Sequence, residues 1–266
     1  MKVGITGIRG RMSKALALEI INNSLFDISG ALVREGYDEV GEDIGDFLGL
    51  DKKTNSLITD DLEKLFDESD AVIDFSSAEL TMKCAEMCAK KGKILVSGTT
   101  GLTDEDKAKL QEYAQKCVIV HSGNMSIGIN LLLNLVEETA SLLGKDYDSE
   151  ILEMHHRNKK DAPSGTALML GEAVAKGKNL NFGEVCRKVR DGNIGPREDN
   201  EIGIAVLRGG DVVGEHTVIF AGDGERIELC HKASSRIIFV HGAIRATIWA
   251  YEKPFGLYSM KDVLKK

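Results

Sequence analysis

From residue 2 to residue 121, short runs rich in β-branched residues alternate with stretches of helical periodicity. That alternation restricts the chain to strands laid side by side in parallel, with helices crossing between them on the faces of the sheet. Strands are predicted at residues 2–6, 28–33, 71–75, 93–97 and 118–121, and helices at 11–22, 61–66, 78–91 and 104–116. Residues 36–56, rich in Asp, Gly and Lys, are assigned only a short helix and loops.

Past Ser122 the pattern changes. A long helical run at 127–143 leads into a strand at 149–154 and then into a strongly basic segment. A helix follows at 164–178, and strand-like runs at 184–190, 202–207, 215–221 and 225–231 are joined by turns containing Gly and Asp. A mixed or antiparallel sheet packed on a helix is the expectation. The helix at 236–252 has a broad apolar face (Ile237, Ile238, Val240, Ile244, Ile248, Trp249), and Pro254 and a short tail come after it. The expected fold class is therefore α/β: an N-terminal Rossmann-like, doubly wound parallel sheet, and a second α+β domain containing a mixed or antiparallel sheet. The expected domains are a dinucleotide-binding domain at 1–126, to which 237–266 returns, and a substrate-binding domain at 127–236.

A formal net charge of -8 argues against nucleic acid or an anionic membrane surface as a partner. No segment reaches the roughly 18 uninterrupted apolar residues that a membrane span needs, and a cytoplasmic protein is expected. The five cysteines are scattered, with no C-x-x-C pair, so neither a disulfide framework nor a metal site is expected. Cys84 and Cys88, four apart on a predicted helix, are assigned to one apolar face.

Against that acidic background, His155, His156, Arg157, Lys159 and Lys160 fall within six positions. An anionic small molecule is the simplest reason for them. The segment ends in Pro163-Ser164-Gly165-Thr166, which reads as a helix start, where unpaired N–H groups and the helix dipole favour a carboxylate by roughly 0.3 to 1 kcal/mol. The two histidines stand at a strand end with their side chains on opposite faces, so they are poorly placed to share a metal ion. One of them faces the site, where an imidazole is suited to proton transfer near neutral pH and neighbouring cations lower its pKa. His121, His216, His231 and His241 are read as structural or surface residues.

Gly7-Ile8-Arg9-Gly10-Arg11-Met12 joins the first strand to the first helix, where a dinucleotide fold makes its phosphate turn. The usual G-x-G-x-x-G is not met, because Arg9 replaces the second glycine and Met12 the third. Gly7 and Gly10 still supply the turn. The second strand ends in Val33-Arg34 where proteins that use NAD usually carry an acid, and Arg34 is placed to meet a 2′-phosphate, with Glu35 partly restoring ribose binding. NADPH is therefore expected as the preferred cofactor, with NADH also used. Gly98-Thr99-Thr100-Gly101 and Ser122-Gly123-Asn124-Met125 each follow a strand, so both belong to the carboxyl edge of the sheet and become walls for the nicotinamide end.

With these residues in view, the sequence resembles the bacterial dihydrodipicolinate reductase (4-hydroxy-tetrahydrodipicolinate reductase) family over almost its whole length. The most specific match is 153–167, close to E-x-H-H-x-x-K-x-D-A-P-S-G-T-A; the segments 7–12, 98–101, 208–216 and 231–236 are similar to further family blocks. The resemblance implies reduction of a cyclic imine dicarboxylate, formed from the 4-hydroxy substrate by loss of water, in the diaminopimelate route to lysine. It implies His155 as proton donor, His156 as a substrate contact, and Lys159 as a second candidate donor or the charge that holds a carboxylate. It places the other carboxylate on Ser164, Gly165 and Thr166, with Thr100 near the ring. Gly7, Ile8, Arg9, Gly10, Arg11, Met12, Arg34, Gly98, Thr99, Thr100, Ser122, Gly123, Asn124 and Met125 match the family's cofactor positions. A homotetramer built through the sheet of the second domain is also implied. Two departures stand out: Val33 lies where members that use NADH well often have an acid, and Ser13 replaces a glycine. Rival readings are a semialdehyde dehydrogenase, which needs a nucleophilic cysteine in a loop, a nucleotide-sensing regulator with a DNA-binding module, and a zinc hydrolase using His155, His216 and an acid.

Overall fold

The computed structural model describes residues 1–265 and divides into two compact units, Met1–Ser126 with the segment from Ile237 onward, and Ile127–Arg236. In the first unit the chain runs β1 (Lys2–Thr6), α1 (Arg11–Asn22), β2 (Asp27–Leu32), α2 (Ile44–Phe47), β3 (Ile58–Thr59), α3 (Leu62–Glu68), β4 (Ala71–Asp74), α4 (Ala78–Lys91), β5 (Ile94–Ser97), α5 (Asp104–Tyr113) and β6 (Val118–His121). The second unit holds α6 (Ile127–Leu143), β7 (Asp148–His155), α7 (Gly165–Gly177), α8 (Phe182–Val185), β8 (Cys186–Arg187), β9 (Ile202–Arg208), β10 (Gly214–Gly222) and β11 (Glu225–Ala233). The first unit is completed by α9 (Ile237–Ala250), β12 (Gly256–Tyr258) and α10 (Met260–Leu264).

The sheet of the first unit has the order β12-β6-β5-β4-β1-β2-β3, with every neighbouring pair parallel. Winding goes one way from β1 through β2 to β3 and the other way from β4 onward, so the switch point lies between β1 and β4. Its central strands are buried on both faces: β4 and β5 are covered along their whole length and are apolar up to Asp74 and Ser97 at their carboxyl ends, as a sheet covered on both sides requires. Cys84 and Cys88 sit in this core on α4, beside Leu65, Leu95 and Ile119.

In the second unit the order is β11-β10-β7-β9-β8, antiparallel across β11, β10 and β7 and parallel across β7, β9 and β8. Strand β7 alternates strictly: Ser149, Ile151, Glu153 and His155 are buried, and Glu150, Leu152 and Met154 are partly open on the other face. The apolar members of the covered face pack with Leu132 and Val136 of α6 and Leu170 and Val174 of α7.

Three stretches depart from expectation, the first being Ile58–Thr59, where no strand is predicted and where β3 exists through its pairing with β2. The strand expected at 184–190 is a turn of α8 followed by only two strand residues, because the Asn181 side chain accepts from Gly183 N–H to start a helix and Phe182 packs onto the unit's core. Arg187 and Arg190 are then drawn to the carboxylates of Glu201 and Glu150 instead of into a ladder. The expected short tail instead makes β12, paired with β6, and α10, which starts on a capping box of Ser259 and Asp262.

Candidate active site

Because β7 ends at His155, its last two covered side chains, Glu153 and His155, lie on one face at the edge where the basic segment begins. Glu153 has no exposed surface and is the centre of a closed set of bonds. Its Oε2 lies 2.5 Å from His155 Nδ1 and accepts from one Arg208 amino group at 2.9 Å, and its Oε1 accepts from the other at 3.0 Å and from Ser164 N–H at 2.9 Å. Burial works against this carboxylate, but Arg208, His155 and the Ser164 N–H outweigh it and hold the carboxyl below its usual range. An ionised acceptor at Nδ1 places that proton on Nδ1 and leaves Nε2 as the working nitrogen of His155.

The His155 ring is nearly buried. Burial pushes its pKa below the usual imidazole range, Lys159 and Arg208 add to that, and Glu153 opposes them. The ring meets His216 of β10 edge to face, with centroids 5.1 Å apart. His216 Nε2 is 3.1 Å from Ser164 Oγ, and burial, reinforced by the charge of His155, lowers its pKa to about 4. Between these rings β10 begins with Gly214, where an added Cβ would stand 3.0 Å from His155 Nε2. This position keeps its side-chain space for the imidazole.

After His155 the chain turns through residues 156–159, with Lys159 N–H donating to His156 carbonyl oxygen, and Arg157 N–H and His155 carbonyl oxygen bond Gly210 and Gly209. His156 is half-buried, while Arg157 and Lys160 are exposed. The Lys159 ammonium is clasped by both oxygens of Asp161 at 2.9 and 2.8 Å, a contact that lowers the Asp161 pKa. Ser164, almost fully buried, caps α7 by accepting from Ala167 N–H, so its hydroxyl and its N–H are both engaged inside the protein. Gly165 is exposed and open around its Cα, and Thr166 is half-buried at the start of the same helix.

In the first unit β1 ends on Thr6, and Gly7, at φ +63°, turns the chain into α1, a conformation that favours glycine. Gly7 N–H and Ile8 N–H both bond the Leu32 carbonyl, and Gly10 N–H bonds the Gly7 carbonyl. Gly10 begins α1 without a side-chain cap, so the first amides of this helix have no side-chain acceptor of the kind found on α4 or α7. Arg9 lies over the Tyr37 ring at 4.3 Å and pairs with Glu39 at 3.4 Å; Arg11 and Arg34 are exposed. Thr99 is buried and Thr100 exposed beyond β5, and the Ser122 hydroxyl, beyond β6, donates to the Asn124 carbonyl. The glycine turn, Arg34, Gly98 to Thr100 and Ser122 to Met125 thus all lie beyond the carboxyl ends of β1, β2, β5 and β6. This is where doubly wound sheets hold nucleotides, and the uncapped helix start suits a pyrophosphate.

Glu153, Arg208, Gly214 and Asp161 carry no role of their own in the sequence, and His216, expected there as a structural or surface residue, packs against the His155 ring and bonds Ser164. Glu153 lies inside the basic motif and follows a readable rule, a carboxylate two residues from a histidine on a strand, whereas Asp161 lies in the loop after that strand, two residues from the lysine it clasps. Arg208 and Gly214 enter through strand register, which no local pattern reveals.

A Rossmann-ordered sheet followed by a unit with a mixed sheet is an architecture of nicotinamide-type oxidoreductases. It is shared with GenD2 from gentamicin A biosynthesis, solved in complex with NAD (TM-score 0.61, 14% identity, 94% of this chain and 86% of that one). A dipicolinate-bound dihydrodipicolinate reductase from Paenisporosarcina sp. TG-14 shares the fold more fully, with a TM-score of 0.78 at 23% identity over 99% of both chains. Residues 1–125 match the family described as dihydrodipicolinate reductase, N-terminus, and residues 128–264 the one described as dihydrodipicolinate reductase, C-terminus. Relatives named 4-hydroxy-tetrahydrodipicolinate reductase are 48% identical in Hahella chejuensis, over 99% of this chain and 98% of the relative, and 46% identical in Roseobacter denitrificans, over 99% and 97%. The chain belongs to the dihydrodipicolinate reductase family, a family of oxidoreductases.

Proposed function

We propose that the chain reduces 4-hydroxy-tetrahydrodipicolinate to tetrahydrodipicolinate, with loss of water, in the diaminopimelate route to lysine. His155 carries this reading: its ring is fixed through Nδ1 by a buried carboxylate and is followed at once by a cation-rich turn, in a chain 48% identical to a reductase of that name. The reduced nicotinamide, when bound, supplies hydride to C4 of the unsaturated ring. Gly7, Ile8, Gly10, Arg11 and Met12 hold its pyrophosphate through the glycine turn and the uncapped start of α1. Arg9 adds charge beside the pyrophosphate, Arg34 favours NADPH through its 2′-phosphate, and NADH is accepted more weakly. Gly98, Thr99, Thr100, Ser122, Gly123, Asn124 and Met125 form the wall for the ring.

The two substrate carboxylates are held by Lys159 with His156, and by the Gly165 and Thr166 amides at the start of α7, with Thr100 as a further contact. Ser164 orients that helix start through Glu153 and His216. A substrate carboxylate competes with Asp161 for the Lys159 ammonium. His155 delivers the proton from Nε2 to the enamine left by hydride addition. Its pKa, depressed in the free protein, rises when a doubly negative ring is bound, so substrate binding itself loads the donor. Glu153 keeps the other proton on Nδ1 and stabilises the imidazolium.

The second unit also supports a homotetramer assembled through the open face of its sheet, where Leu152 and Met154 are half-buried and Leu207 is exposed; light scattering reads the assembly directly. No helix among the described residues is long and apolar enough to cross a membrane. The activity is tested by comparing NADPH and NADH oxidation with substrate made in situ from pyruvate and aspartate semialdehyde. Oxidation of both, faster with NADPH, is expected, and no oxidation of either rejects the assignment.

A further inference from the structure

Asp74 ends β4 as Thr6 ends β1, the two strands between which the parallel sheet reverses its winding. It is completely buried and accepts hydrogen bonds from five hydroxyl groups. Thr6 and Ser76 donate to Oδ1, each at 2.5 Å. Thr81 donates to Oδ2 at 2.5 Å, and Ser97 and Thr99 donate to the same oxygen at 3.0 Å. None of the five partners is a cation.

A buried charge held only by hydroxyls is a poor source of stability, since an apolar replacement of similar size avoids the desolvation cost. Its partners indicate another reason for it. Thr6 precedes the Gly7 turn, Ser76 follows β4, and Ser97 and Thr99 flank Gly98 after β5. The Thr99 hydroxyl that donates to Asp74 also accepts from Ser76 N–H at 3.2 Å, and Thr99 N–H reaches Ser97 Oγ at 3.3 Å. The Cβ of Ser76 lies 3.6 Å from where a side chain on Gly7 would begin. One carboxylate therefore sets the spacing of three loops at the carboxyl edge of the sheet, and only an anion offers enough acceptor sites to do so.

We propose that Asp74 is a positioning residue for the nicotinamide cofactor, holding the Gly7 turn, residues 75–77 and the Gly98–Thr99 loop in their binding arrangement without touching the ligand. This rests on the reading of the first unit as the cofactor-binding one. Thr81, on α4, shares the carboxylate but belongs to none of these loops, which separates positioning from general support of the core.

The test is NADPH affinity of the full-length protein, by fluorescence titration well below each variant's thermal midpoint. Asp74→Asn is expected to weaken binding at least tenfold and Thr99→Val comparably, with the double variant little worse than the weaker-binding single one. Thr81→Val is expected to lower the thermal midpoint while leaving affinity within twofold. Wild-type-like affinity in folded Asp74→Asn overturns the proposal, as does a loss in Thr81→Val as large as that in Thr99→Val. Should Asp74→Asn not fold, Ser97→Ala, which removes a hydroxyl donated to Asp74 at a residue with no cofactor contact, decides it against Thr81→Val by the same comparison. Wild-type protein that binds neither NADPH nor NADH overturns the functional reading together with this one, whereas normal wild-type binding with an insensitive Asp74 overturns this one alone.

Discussion

Glu153 Oε2 and His155 Nδ1 stand 2.5 Å apart on the covered face of β7, two residues apart in the chain. Strand geometry alone puts residues i and i+2 on one face. Arg208, paired with His155 in the parallel register of β7 and β9, reaches back to Glu153 and closes the set.

Replacing Glu153 by Gln keeps the shape and removes the charge that favours protonated His155. The His155 pKa, already depressed by burial, then falls further. A protonated donor is required, so kcat/KM declines as pH rises through that pKa; in Glu153→Gln the decline begins at lower pH and kcat drops about 10- to 100-fold. A pH–rate profile identical to wild type would detach Glu153 from the proton donor.

His155→Gln is expected to lower kcat by roughly 10²- to 10⁴-fold with little change in KM, and Lys159→Ala to raise KM as well. Steady-state kinetics under saturating cofactor separate the two. Unaltered turnover in the first variant removes His155 from its role.

Gly214→Ala adds a Cβ 3.0 Å from His155 Nε2 and so displaces the imidazole. The expected result is a kcat loss of about tenfold or more from misplacement of the donor, with a thermal midpoint near that of wild type. Normal kcat would mean that the ring yields the few tenths of an ångström the new methyl needs without losing its catalytic placement.

His216 has a pKa of about 4 in the folded protein and about 6.5 when unfolded, so the unfolded chain binds more protons between those values. Its contribution is present above pH 6.5 and is lost as pH falls towards 4, reaching about 3 kcal/mol at full extent. His216→Gln, which can still accept from Ser164, should lose less thermal stability than wild type between pH 7 and pH 5. Parallel melting curves for the two proteins over that range would refute the assignment.

Arg34→Ala should reduce kcat/KM for NADPH by about 10- to 100-fold, the worth of a charge-assisted bond to a 2′-phosphate, and leave NADH use nearly unchanged. Equal losses with both cofactors refute the phosphate contact.

Much of the fold was legible because hydrophobic period and caps act locally. The helices Arg11–Asn22, Ala78–Lys91 and Ile127–Leu143 begin and end where the pattern predicts. Ala78–Lys91 shows why, with Ser77 accepting from Leu80 N–H at one end and left-handed Gly92 at the other. The stretch at 184–190 was misread because its alternation matched a strand, while a capped turn at Asn181 and the pull of Glu150 and Glu201 on two arginines prevail in the folded unit. β12 was missed because a three-residue strand exists only through pairing with β6.

The linear order of residues determined the parallel sheet, the glycine turn after β1, the basic turn after β7 and the helix start at Ser164, all set by neighbours within a few positions. Tertiary structure alone decided that Arg208, Gly214 and His216 surround His155, and that hydroxyls from the end of β1 and the end of β5 join those near β4 and α4 on Asp74. Strand pairing brings together residues tens of positions apart, and burial then sets the charge each one keeps, a free energy that exists only once water has been excluded.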